Sequence, residues 1–345
     1  MRFERHPLVW FGAFLSAVAL ALAFRGLHWG RVGHAIAGAN YPLVALGVAL
    51  LVVAVYVRAL RWSALFAPRT DLHAWRFFGA VNVGYALNNL LPLRVGELAR
   101  AYLICQTESV SAGRALSTIV VERTLDTIIL VAILICTLPF IDAPSWARGP
   151  ALLLGLAFLA IAAVLAAASA AHDRAMTIVR RGVRILPEAY HERLERFAES
   201  ALEGFAVIRR PTVMAKATLL SLASWFFSAL VIYAVMRGFD LDIPATAALF
   251  VLCATSLGAI VPSSPGYVGV FHAIAIESLV NVFGVERSDA ASFAFVLHAI
   301  LYLTPIALAA IYVAFERGTL RDVRSWASAP DELLAASDAK QEAER

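Results

Sequence analysis

The chain has 345 residues, 61% of them hydrophobic and 16% charged, with a formal net charge of +4. Soluble domains are about half apolar and about a quarter charged, so this composition excludes an ordinary soluble protein and points to one integral to a membrane. The slight basic excess reads as membrane topology, and no nucleic-acid partner is expected.

A bilayer crossing needs about 20 apolar residues. In chain order, six segments fall within the workable range of about 17 to 25 residues: 8–24, 39–57, 125–141, 151–171, 217–236 and 293–315. The first follows a short basic N-terminus, as a signal peptide would. Its small residues Ala19, Ala21 and Ala23 lie inside the apolar run, which is long for a signal core, so an uncleaved first helix is expected. Two further apolar regions, 77–104 and 245–283, are each interrupted. The first carries Asn88-Asn89-Leu90-Leu91-Pro92-Leu93-Arg94-Val95-Gly96-Glu97-Leu98-Ala99-Arg100, the second Pro262-Ser263-Ser264-Pro265-Gly266-Tyr267-Val268-Gly269. Pro92 and Pro262 remove an amide hydrogen, Pro265 repeats the restriction, and Gly96, Gly266 and Gly269 permit backbone closed to other residues. Broken backbone at membrane depth survives only where protein or a water-filled cavity receives its polar groups. The pieces are short for full crossings, so each region is expected to be a re-entrant hairpin.

Basic residues are unevenly placed: 23 fall in one set of connecting regions, five in the other, and Arg94 within the membrane. The positive-inside rule then puts both termini in the cytoplasm. With that orientation the first hairpin enters from inside and the second from outside, so residues 142–315 repeat residues 1–141 upside down. The expected fold is therefore an all-α polytopic membrane protein with about six spanning helices and two broken hairpins in an inverted repeat. The polar insert 172–210 reads as an amphipathic pair on the cytoplasmic surface, attracted to anionic lipid, and 316–345 as a cytoplasmic tail.

Charged residues near the first break are the candidate site, since ionisable groups at membrane depth mark function by default. Arg94 stands in the break, and Glu97 opens the next half-helix where the dipole favours an anion. Arg100, three residues on, can pair with Glu97. Arg94 and Arg100 suit bidentate contact with a lipid phosphate, with Asn88 and Asn89 beside them; a structural ion-pair network is the alternative. Glu122 and Asp126 share a helix face beside Arg123. Two such carboxylates need an intervening cation or a coupling proton, and Arg94 or Arg100 could be that cation. Arg61, followed by Trp62, reads as an interface anchor with possible headgroup contact. His272 is a packing residue or a proton relay. No ATP-binding motif, metal-ligand spacing or G-x-S-x-G nucleophile motif occurs, so no cofactor or metal is expected. The 25–41 loop holds no carboxylate, which argues against a glycosyltransferase using an acidic pair there.

Three ordered motifs carry a resemblance: the Asn88 to Arg100 stretch, Glu122-Arg123-Thr124-Leu125-Asp126, and Pro262 to Gly269. Together with Arg58-x-x-Arg61-Trp62 they resemble the lysylphosphatidylglycerol synthase transmembrane-region, or flippase-like, family over nearly the whole chain. The resemblance implies a polytopic inner-membrane protein related to the domain that flips aminoacylated phosphatidylglycerol. Family members often carry Gly where Tyr267 stands and Glu where His272 stands. The synthase's soluble transferase domain has no counterpart here, so lipid aminoacylation is not expected. The implied function is ATP-independent movement of an anionic or polyprenyl-linked envelope lipid between leaflets. The alternatives are a membrane-embedded headgroup-modifying enzyme and a non-transporting partner of an envelope-lipid synthase.

Overall fold

In hydrocarbon a backbone must satisfy its own polar groups, which a helix does within one segment, and every regular element among the described residues is helical. The computed structural model describes residues 7–69, 71–91, 95–141, 145–183, 191–259 and 264–316. The helices are α1 (Pro7–Phe24), α2 (Trp29–Ala37), α3 (Tyr41–Ala64), α4 (Ala74–Leu90), α5 (Gly96–Glu108), α6 (Ala112–Thr137), α7 (Ser145–Ala170), α8 (His172–Val183), α9 (His191–Phe205), α10 (Pro211–Gly238), α11 (Thr246–Gly258), α12 (Val270–Phe283) and α13 (Arg287–Phe315). Their starts follow ordinary capping chemistry. Asn40 accepts from the Leu43 amide before α3, Ser111 from the Arg114 amide before α6, and Glu286 from the Ser288 and Asp289 amides before α13, each satisfying donors that a helix leaves open.

Four described segments are long and apolar enough to cross a membrane: Tyr41–Ala64, Pro211–Gly238, Pro265–Phe283 and Arg287–Phe315. A fifth arises if Leu156–Ala168 and Asp173–Val183, which meet at 99°, are counted as one bent span. This differs from the six straight crossings expected. Most of the 125–141 run is the second half of a 26-residue α6 that carries Arg114, Glu122, Arg123 and Asp126. At 1.5 Å per residue α6 measures about 39 Å, longer than a bilayer core of about 30 Å. Its charges are turned into the protein, so composition understates it. Pro265–Phe283, expected to be part of a hairpin, is itself long and apolar enough.

Helix association in a bilayer rests on close packing at small residues. Helices α3 and α10 pack along their lengths, with Gly47 against Val235 and the Val231 carbonyl. The Tyr312 ring of α13 packs against Gly79 of α4, where any β-carbon would strike it. Trp62, Phe66 and Phe77 meet edge to face, with centroids 5.0–6.1 Å apart, where α3 leaves its last turn.

Within the insert, one face of α9 is used for protein contact. Helix α9 packs on the start of α6: a β-carbon on Gly113 would meet the Phe197 carbonyl, and one on Gly204 would meet the Ser117 hydroxyl. Ser111 and Ser200 share a hydrogen bond across the same seam. The small-residue face of α9 is therefore occupied by protein. Pro187, which by sequence separates the two helices of the insert, lies outside the described residues.

Candidate functional site

Helix α4 ends at Leu90 because Pro92 disfavours helix in the residue before it. Pro92 and Arg94 lie outside the described residues. Helix α5 returns beside α4 closely enough that a β-carbon on Gly96 would fall on the Gly84 carbonyl. Asn88 bridges the turn by accepting from the Gly96 amide at 2.8 Å. The second break lies between α11 and α12. Pro262 is outside the described residues, but Pro265 opens a short 3-10 turn, and Gly266 and Gly269 take φ of 67° and 90°. Between them Tyr267 also takes a left-handed φ of 59°, a conformation costly for a residue with a β-carbon. Helix α1 braces this break: Ser16 Oγ accepts from the Ser264 amide at 2.8 Å, and Gly269 rests against the Ser16 carbonyl.

The two breaks meet. A β-carbon at Gly266 would lie 3.2 Å from the Asn89 carbonyl. Helix α13 ties them together, since Asn89 Nδ2 donates to the Tyr302 carbonyl at 3.1 Å and His298 Nε2 lies 2.8 Å from the Gly266 carbonyl. His298, read from the sequence as a structural residue of the last helix, holds the second break. His272 is a capping residue: its Nδ1 accepts from the Gly269 amide at 3.3 Å, and its ring sits 4.6 Å from that of His298.

Beneath the first break stands a buried ion cluster drawn from three helices. Glu122 of α6, 0% exposed, contacts three guanidiniums: Arg61 Nη2 at 3.2 Å, Arg100 Nη2 at 3.1 Å and Arg123 Nη2 at 2.6 Å. Asp126 accepts from both Arg61 terminal nitrogens, one at 3.1 Å, and from Trp225 Nε1 at 3.1 Å. Glu97 receives Arg100 Nε at 2.7 Å, and Arg123 Nε lies 3.7 Å from its other oxygen. Arg61 also donates to Ser221 Oγ at 2.8 Å, and the Arg100 guanidinium stacks over Trp62 at 4.7 Å. Three carboxylates thus balance three guanidiniums, which answers the desolvation cost that any one of these charges would meet alone.

This placement corrects the reading of Arg61. An Arg-Trp pair at a helix end suggests an interface anchor, yet Arg61 is 0% exposed and is the cation between Glu122 and Asp126, while Arg100 joins Glu122 to Glu97. The pairing of Glu97 with Arg100 stands as expected. Arg100 is also sealed, at 1% exposure, so neither Arg61 nor Arg100 lines the cavity described next.

A cavity of about 340 Å³ opens between the two breaks and the ion cluster. Asn88, Asn89, Glu97, Arg123 and Asp126 line it from the first half of the chain, and Thr255, Ser256, Gly266, Tyr267, His298 and Tyr302 from the second. The side chain of Arg123, 41% exposed, is the most open of the three cluster members on this space. Arg58, Tyr85, Trp225 and Ser228 complete the wall. Of these, Arg58 carried a sequence signal: it sits one turn before Arg61, on the same face of α3.

The geometry defines a multi-pass, all-helical membrane protein with a polar site enclosed by its helices. The family model for the lysylphosphatidylglycerol synthase TM region matches residues 9–309, and the chain belongs to that family. Two similar proteins, both described as UPF0104 membrane proteins, come from Methanothermobacter thermautotrophicus. One is 27% identical over 76% of this chain and 82% of its own length. The other is 24% identical over 91% and 96%. No solved structure matches the chain.

Proposed function

We propose that this protein moves an anionic or polyprenyl-linked envelope lipid between leaflets without ATP. The observation that carries this reading is the meeting of two interrupted helical segments beside a polar cavity. Such segments, at corresponding places in two halves of a chain, mark transporter sites. The headgroup would cross through the cavity while the acyl or prenyl chains stay in the bilayer. The proposal includes an inverted repeat of 1–141 and 142–315, with both termini cytoplasmic and the cell inner membrane as the location. The lengths of α5 and α11, about 20 Å each against a core of about 30 Å, support re-entrant pieces on one side of each break.

A headgroup-modifying enzyme is the less favoured reading. Its acids or bases would be Glu122, Asp126 or His272, and each is already engaged: the carboxylates by guanidiniums, and His272 Nδ1 by a backbone amide. A synthase partner remains compatible with transport, as the source of the lipid moved.

The test is leaflet exchange in proteoliposomes carrying fluorescent phosphatidylglycerol or a labelled polyprenyl phosphate. Wild-type protein should accelerate exchange without nucleotide, and Arg94→Ala and Glu97→Ala should slow it. Wild-type rates equal to those of empty vesicles for every such lipid would sink the proposal.

A further inference from the structure

All three carboxylates of the cluster are engaged by Arg61, Arg100 and Arg123, and Arg58 has none. Among the described residues no carboxylate lies within ion-pair distance of it. Neutral groups hold it at the cavity wall. Nη1 donates to the Tyr85 hydroxyl at 3.2 Å and Nη2 to Ser228 Oγ at 3.0 Å, while Cζ lies 4.8 Å from the Trp225 ring centroid. A guanidinium presents five N–H donors in a planar fork, and these contacts occupy two. An unneutralised cation within a membrane protein is costly and is kept where it meets a ligand or an ion pathway. The neighbouring hydroxyls are unequal. Ser228 already donates to the Ser224 carbonyl at 2.8 Å, so its oxygen is fixed as an acceptor for Arg58. Tyr85 has no acceptor among the described residues and keeps its hydrogen for a ligand oxygen. Trp225 is fixed by Asp126, so the ring under Arg58 is held by the cluster itself.

We infer that Arg58, oriented by Ser228 and Trp225 and assisted by the Tyr85 hydroxyl, is the residue that grips a phosphate-bearing anion in this cavity. The phosphate belongs to a lipid headgroup if the transport reading holds, and the inference rests on that reading only for this assignment. Arg61 and Arg100 hold the ion cluster together behind the wall, and Arg58 makes the contact.

The experiment titrates purified full-length protein with dioctanoyl phosphatidylglycerol, inorganic phosphate and phosphate-free dioctanoylglycerol, following tryptophan fluorescence and native mass. Arg58→Gln should weaken phosphatidylglycerol binding roughly 10- to 100-fold, the range of a charge-assisted hydrogen-bond pair. Dioctanoylglycerol binding should not change. Arg58→Lys should fall between, because it keeps charge without the fork. Tyr85→Phe, which removes one hydroxyl and no charge, should weaken binding several-fold and guards against a folding defect in the arginine variants. Loss confined to inorganic phosphate assigns the site to the free ion; loss confined to the lipid assigns it to the headgroup. Wild-type affinity of folded Arg58→Gln and Tyr85→Phe for both probes overturns the inference. Leaflet exchange on the same preparations separates the two ideas. Binding lost in Arg58→Gln, with no exchange by wild type, leaves the site and removes the transport reading. Wild-type exchange with unaltered binding in Arg58→Gln does the reverse.

Discussion

At the scale of single residues, stability concentrates in the ion cluster. Removing one member of a buried pair strands its partner's charge and costs about 3–5 kcal/mol. Arg61→Ala, which strands Asp126 and one contact of Glu122, should therefore lower the thermal midpoint sharply in detergent. Lys216→Ala, on α10 with no ion pair among the described residues, should leave it nearly unchanged. Arg61 was also the residue least legible in the sequence. Its neighbours Leu60 and Trp62 describe only the end of α3; that α6 presents Glu122 and Asp126 beside it depends on how distant segments pack. Glu97 and Arg100 were legible because three residues on one helix fix their own proximity. Outside the membrane-spanning segments, Glu286 offers a pH test. The two amides it caps, Ser288 and Asp289, with Arg31 3.4 Å away, hold its carboxyl below the usual range. A depressed folded-state value gives stability that is present above the unfolded carboxylate value and is lost as pH falls through the folded one. The melting difference between wild type and Glu286→Gln should thus be constant near neutrality and shrink below about pH 4.

Breaks and caps belong to the scale of elements. Both interruptions could be read directly, since Pro92, Gly96, Pro265 and Gly269 announce backbone that cannot continue a helix. Their contact with each other could not, because it runs through Asn89, Gly266 and the middle of α13. Gly96 has no room for a methyl group against Gly84, so Gly96→Ala should part α4 from α5 and cost about 1–3 kcal/mol, the usual range for overpacking. Tyr267 allows a sharper comparison. Its left-handed φ of 59° is one that glycine adopts freely and a β-branched residue does not, so Tyr267→Gly should be more stable than Tyr267→Val by about 1–3 kcal/mol. Both substitutions remove the ring, and the difference isolates the backbone. Equal midpoints would mean that the turn relaxes freely.

For the whole molecule, the decisive expectation is that water reaches the cavity from one side. In a background lacking Cys105, Cys136 and Cys253, Ser256→Cys should react with a small charged thiol reagent, because it lines the cavity. Ser224→Cys, fully buried in α10, should not. Equal protection of both would mean that the space is closed to solvent. The all-helical class followed from hydrophobic content alone. The crossing count did not, because α6 hides its charges inside the protein and α7 turns at 99° into α8.

The evenness of the ion cluster has an electrical consequence. Each elementary charge carried through the full membrane potential exchanges about 2.3 kcal/mol per 100 mV. Glu97, Glu122 and Asp126 against Arg61, Arg100 and Arg123 sum to zero, so the field exerts no net pull on the group as a body. Shifts of the cluster as one piece would displace no gating charge. Arg58 is the exception among the cavity's arginines: it feels the field while empty, and is neutralised by any monovalent anion that settles upon it.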